Sequence, residues 1–127
     1  MDPALLVGPN IKAGEELLTE LDRRDLGVDA AFWWFDKELR EWRLLIASAR
    51  VEKPGPSWFL KQVQEALKDL GSRLRLRDVE VHSPRDPEIR LFRGVLSTGG
   101  EGIQGVRFSR NIVNGAFVED AYIYRLP

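Results

Sequence analysis

The segments 28–35 and 42–51 constrain this chain more than any other feature. Phe32, Trp33, Trp34 and Phe35 stand in succession in the first, Leu44, Leu45 and Ile46 in the second, and a mostly polar segment fills 36–41 between them. In a strand, successive side chains point to opposite faces, so an unbroken apolar run puts apolar groups on both. A half-solvated strand would alternate instead. The pair therefore reads as a β-hairpin inside a sheet, with helices over one face and other parts of the chain over the second.

The flanking sequence supplies those helices. Asn10 is positioned as an N-cap for a helix carrying Leu17, Leu18 and Leu21 and closing at Gly27. After the break at Pro54, Gly55 and Pro56, Ser57 is a second N-cap, and Phe59, Val63, Ala66, Leu67 and Leu70 line one helical face up to Gly71. Leu74 and Leu76 are out of phase with Val79 and Val81, which predicts a loop-to-strand transition or a bulge near Arg77 and Asp78 and a strand over Val79–His82. Asp86, Pro87 and Glu88 open a short third helix through Ile89, Phe92 and Leu96 to Thr98. Asn114-Gly115 joins two closing strands, 106–113 and 116–126, as a type I′ hairpin.

The order α-β-β-α-β-α-β-β predicts an α/β (α+β) fold with one mixed, mainly antiparallel five-stranded sheet and helices mostly on one face. At 127 residues the chain fits a single domain over 1–127, with 1–9 an extended N-terminal segment and 99–105 a glycine-rich loop. There is no cysteine, which excludes disulfides, thiolate metal sites and a cysteine nucleophile, and accords with a cytoplasmic setting. No apolar run approaches the roughly 20 residues of a membrane-spanning helix, so a soluble protein is expected. With 19 basic and 20 acidic residues the formal charge is −1, and any attraction to polyanions must be local.

Most chemical motifs are weak. Gly100, Gly102 and Gly105 spell a dinucleotide fingerprint, but they follow a helix and precede a strand, the reverse of what a pyrophosphate site needs. His82 is the sole histidine; Ser83 beside it falls on the other face, and Asp78, Glu80 and Asp86 are the nearby carboxylates. Asp78 and Glu80 share a strand face, while Glu119 and Asp120 fall on opposite faces, and neither pair makes a metal centre. No catalytic residue, cofactor or metal is assigned.

Two sets of residues remain as candidate binding surfaces. The aromatic residues Trp33, Trp34, Trp42, Tyr122 and Tyr124 form a sheet surface suited to a protein partner or a second copy of the chain, as a homodimer. Arg73, Arg75 and Arg77, with Arg107 and Arg110, form a local arginine patch suited to anions or nucleic acid, although neighbouring acids offset its field. The leading expectation is a small protein-interaction module that self-associates through an aromatic sheet face. The alternatives are a nucleic-acid-associated protein using the arginines and a small-molecule enzyme with its site near His82.

Overall fold

The computed structural model describes residue 6 and residues 8–36, 38–90, 106–113 and 116–126, with 106–113 and 116–120 as backbone alone. Its elements are α1 (Gly8–Arg23), β1 (Val28–Asp36), β2 (Glu41–Ser48), α2 (Pro56–Leu70), β3 (Val79–His82), β4 (Val106–Val113) and β5 (Ala116–Arg125), with 3-10 turns at Ala49–Val51 and Leu76–Asp78. Residues 87–90 are helical as well. The expected remainder of that third helix, the glycine-rich loop 99–105 and the Asn114-Gly115 turn lie outside the described residues.

The strands form one mixed sheet in the order β3-β2-β1-β5-β4. β2 and β3 run parallel, and every other pairing is antiparallel. An α+β class with a mixed sheet is what the element order predicts. β1 is flanked by β2 and β5, which explains why it is apolar on both faces: Ala31 and Trp33 enter one core cluster, Ala30 and Phe32 the other.

The first cluster is the larger and lies under the two helices. Leu17, Leu18 and Leu21 of α1 and Phe59, Val63, Ala66 and Leu67 of α2 pack there on Trp33, Leu44, Ile46, Val79 and Tyr124. On the opposite face Phe32, Leu45, Ala121 and Ile123 pack with Ile89 and Leu126. Ile89 belongs to the 87–90 turn, so the chain after β3 crosses to the face the two long helices leave uncovered.

Several local boundaries differ from the sequence reading. α1 begins at Gly8, ahead of the expected cap at Asn10, because Pro9 suits a first helical turn. α2 is capped by Gly55 with Pro56 at its first position, so Ser57 lies inside the helix. β2 stops at Ser48, whose hydroxyl accepts from Arg50 N–H and donates to Leu26 O at 2.9 Å, turning 49–51 into a 3-10 turn. Of the two alternatives near Arg77 and Asp78, the structure has the loop-to-strand transition and no bulge: the 3-10 turn Leu76–Asp78, closed by Asp78 accepting from Arg75 N–H at 2.8 Å, leads directly into β3.

Both helices end in the same motif. Ser72 N–H donates to Leu67 O and Gly71 N–H to Lys68 O, with Gly71 left-handed at φ 58°. Leu26 and Asp25 make the equivalent bonds to Leu21 and Asp22, but there the left-handed residue is Asp25, φ 57°. Helix one thus stops without using Gly27.

One polar relay crosses the main core. Trp33 Nε1 donates to Tyr124 Oη at 2.9 Å, and Tyr124 Oη donates to Ile11 O in the first turns of α1. Burial pushes the Tyr124 phenol above its ordinary range, so it stays protonated and able to donate. Gly14 makes room for it: a Cβ there would overlap the Tyr124 hydroxyl and come within 2.9 Å of Trp33 Nε1. Nearby, Arg125 forks onto Asp22 at 3.0 and 2.7 Å and donates to Val28 O at 3.0 Å. The two helices are further joined by Arg24, which reaches Glu20 at 2.6 Å and Asp69 at 2.7 Å.

Replacing Tyr124 by Phe is expected to destabilise the fold by about 1–3 kcal/mol, because it leaves the buried Trp33 N–H without its acceptor. Gly14→Ala should cost at least as much by forcing α1 off the sheet. Urea denaturation of both variants measures this. In a carboxyl NMR titration, hydrogen bonds from Arg23 and then Arg24 should hold Glu20 down to about 2. Its folded value lies below the unfolded one, so this contribution is present above the ordinary carboxylate range and is lost as pH falls through that folded value.

Candidate functional site

Register places the β1–β2 turn and the Val113↔Ala116 end of the β4–β5 pair at one end of the sheet. β5 runs antiparallel to β1 with Trp34 opposite Ala121, so residues 116–120 run past the last β1 pairing. They pair with β4, from Ser109↔Asp120 to Val113↔Ala116, and among the described residues they have no partner on the β1 side. The result is a two-stranded ribbon beside the β1–β2 turn. In that turn Asp36 Oδ1 accepts from Glu38 and Leu39 N–H at 2.9 and 3.1 Å, which sets the backbone and presents the Leu39 side chain to solvent.

Apolar side chains collect at this end. Leu39 is 57% exposed, Phe35 and Tyr122 are half-buried, and each of the latter two packs on the edge of the helix-side core. Phe35 meets Trp42 edge to face at 5.6 Å, and Tyr122 meets Tyr124 in the same way at 5.3 Å. Such contacts orient the rings beyond simple burial. Phe35 and Leu39 were not among the sequence candidates. An apolar residue inside an otherwise polar turn was the available signal for Leu39.

The five aromatic residues singled out in the sequence do not form one open surface. Trp33 and Tyr124, each 1% exposed, are core residues satisfied by one another, and Trp42 at 9% is nearly as enclosed. The physical reason is α1, which lies over this face with Gly14 against the rings. Trp34 is half-buried and packs with the opposite cluster. Tyr122 is the one of the five that stays half-open on the helix side.

The arginine patch is also redistributed. Arg73, Arg75 and Arg77 are exposed, but they lie in a loop and a 3-10 turn, where alternate residues do not share a strand face. Arg107 and Arg110 are on β4, at the opposite edge of the sheet from β3; their side chains lie outside the described residues. A continuous stripe needs an extended segment that the chain does not form at 73–77.

His82 ends β3 on the second face. Its Nδ1 lies 2.6 Å from Asp86 Oδ2 and its Nε2 3.7 Å from Glu88 Oε2. Asp78 is occupied with Arg75 N–H, and Glu80 lies 3.8 Å from Arg43. Ser83 Oγ accepts from Arg85 N–H, and the Arg85 guanidinium forks onto Glu52 at 3.0–3.1 Å, holding that carboxyl below its usual range. His82 Nε2, the atom a general base would present, is closed to solvent. Among the described residues no group of three or more His, Asp or Glu residues could hold a metal ion, and no helix is long and apolar enough to cross a membrane.

Trp33→Ala is expected to cost about 3–5 kcal/mol in folding free energy, as for other large aromatic truncations in a core. Leu39→Ser should change it by less than about 0.5 kcal/mol. Thermal or urea unfolding separates the two. Comparison with known protein families, with curated proteins and with solved structures finds no match to this chain.

Proposed function

We propose that the protein is a self-associating interaction module that docks a second copy on the aromatic end of its sheet. The observation that carries this reading is that exposed Leu39 and half-buried Phe35 and Tyr122 lie toward the end of the sheet that carries the β1–β2 turn. Aromatic groups already oriented by edge-to-face contacts lose little side-chain freedom on docking, which is why such residues dominate interface energetics. The adjoining ribbon of β4 and β5 offers backbone donors and acceptors along an edge strand. A two-fold arrangement would bring the same patch from both copies together, so that each contributes equal apolar area.

The near balance of charge supports an apolar rather than an electrostatic mode, since a −1 chain neither repels its copy nor attracts a polyanion strongly. Sedimentation equilibrium should give a mass above that of one chain at tens of micromolar protein, roughly the range of small apolar interfaces. Leu39→Asp should weaken association at least about tenfold with its unfolding midpoint unchanged, because it buries a charge at the interface without touching the core. A wild type that stays monomeric to about 1 mM, where even weak apolar contacts register, overturns the reading. Binding of a single-stranded oligonucleotide that falls steeply with salt would redirect attention to Arg73, Arg75 and Arg77.

A further inference from the structure

We infer that the cleft between the first turns of α1 and the C-terminal end of α2 is a binding site for a small apolar α-amino acid. The cleft is a half-open cavity of about 210 Å³, with Pro9, Ala13 and Glu16 on one side and Leu70, Gly71 and the turn through Arg73 on the other. Pro9, Ala13 and Glu16 follow one another at helical spacing and so fall on one stripe of α1. Ala13 is the short side chain between two longer ones, and the hollow opens there.

The opposite wall is set by hydrogen bonds of the backbone. Gly71, left-handed at φ 58°, turns the chain out of α2; Ser72 N–H returns to Leu67 O at 3.0 Å, and Ser72 Oγ accepts from Leu74 N–H at 3.1 Å. Leu74 is buried, so the Arg73 backbone is fixed from both sides while its side chain is exposed.

The chemistry of the walls points to the ligand. Glu16 and Arg73 line one cavity with opposite charges, and among the described residues neither makes a hydrogen bond or an ion pair. The acids one turn on from Glu16 and next to Leu70 differ in this respect, since Glu20 and Asp69 are both held by Arg24. Leu70, 36% exposed, adds an apolar wall beside Pro9 and Ala13. A guanidinium, a carboxylate and an apolar wall answer to the three parts of such an amino acid: Arg73 takes its carboxylate in a fork, Glu16 its ammonium, and Leu70 with Ala13 its side chain. Phosphate would answer to Arg73 but set further negative charge against Glu16. The volume lies below the roughly 300–1,000 Å³ of drug-sized pockets and suits a smaller metabolite. The cleft shares no residue with the aromatic end of the sheet, so this inference stands apart from self-association.

An amide NMR titration with L-leucine tests the assignment, with isocaproate and isoamylamine as probes that each lack one of its charged groups. L-leucine should shift the amides of Gly71, Ser72 and Arg73 saturably with a Kd of about 1 mM, the scale for so small a ligand. Each analogue should bind at least about tenfold more weakly, through loss of one charge-assisted contact. Arg73→Gln and Glu16→Gln, both exposed changes, should each weaken L-leucine binding by at least about tenfold with the unfolding midpoint unchanged. No saturable shift with L-leucine up to about 20 mM, an analogue that binds as tightly as L-leucine, or variants that keep wild-type affinity overturn the assignment.

Discussion

The hydrogen-bonded chain from Trp33 through Tyr124 to Ile11 ties together three parts of the molecule that are far apart in sequence. A central strand, the last strand and the first helix meet at one phenol. Because the Trp33–Tyr124 bond is buried, the indole N–H depends on the phenol oxygen, and the helix can approach closely only where it carries no side chain, at Gly14. The position of α1 then decides which aromatic residues are interior.

The remaining polar contacts reinforce that placement. The Arg125 fork on Asp22 and Val28 holds the far end of α1 to β5 and to the start of β1, as the phenol holds the near end. Arg24, shared between Glu20 and Asp69, joins α1 to α2 at the surface. Exposed pairs of that kind contribute little individually, so the buried relay and the apolar clusters carry most of the specificity.

How much of this was legible in the sequence depended on whether the deciding interaction was local. α2 was clear because Pro56 and Gly71 act within one turn of themselves, and the two-faced β1–β2 hairpin because strand alternation is a local rule. The cap at Asn10 failed since Pro9 pulls the helix start earlier, whereas the break in phase near Arg77 did mark the passage from loop to strand, made there by a 3-10 turn that the Asp78 side chain closes. The aromatic candidates were mixed for a different reason. Burial of Trp33 and Tyr124 is set by a helix whose contact point is a glycine, and residue spacing carries no record of that. His82 was visible as a singular residue and Asp86 as its neighbour, but Glu88 enters only when the chain turns back over the ring.

The place of β5 in the sheet bears on the order in which the molecule assembles. β1 pairs on one side with the strand that follows it immediately and on the other with one about 90 residues later, the separation of Trp33 from Tyr124 being 91. Until that distant strand arrives, β1 is an open edge with a bare tryptophan, and the closure entropy of the intervening loop must be met before any pairing offsets it. The β1–β2 hairpin and α2 involve near-neighbour contacts and can form early. Contact order therefore favours completion of the sheet by docking of the β4–β5 pair on the open edge of β1.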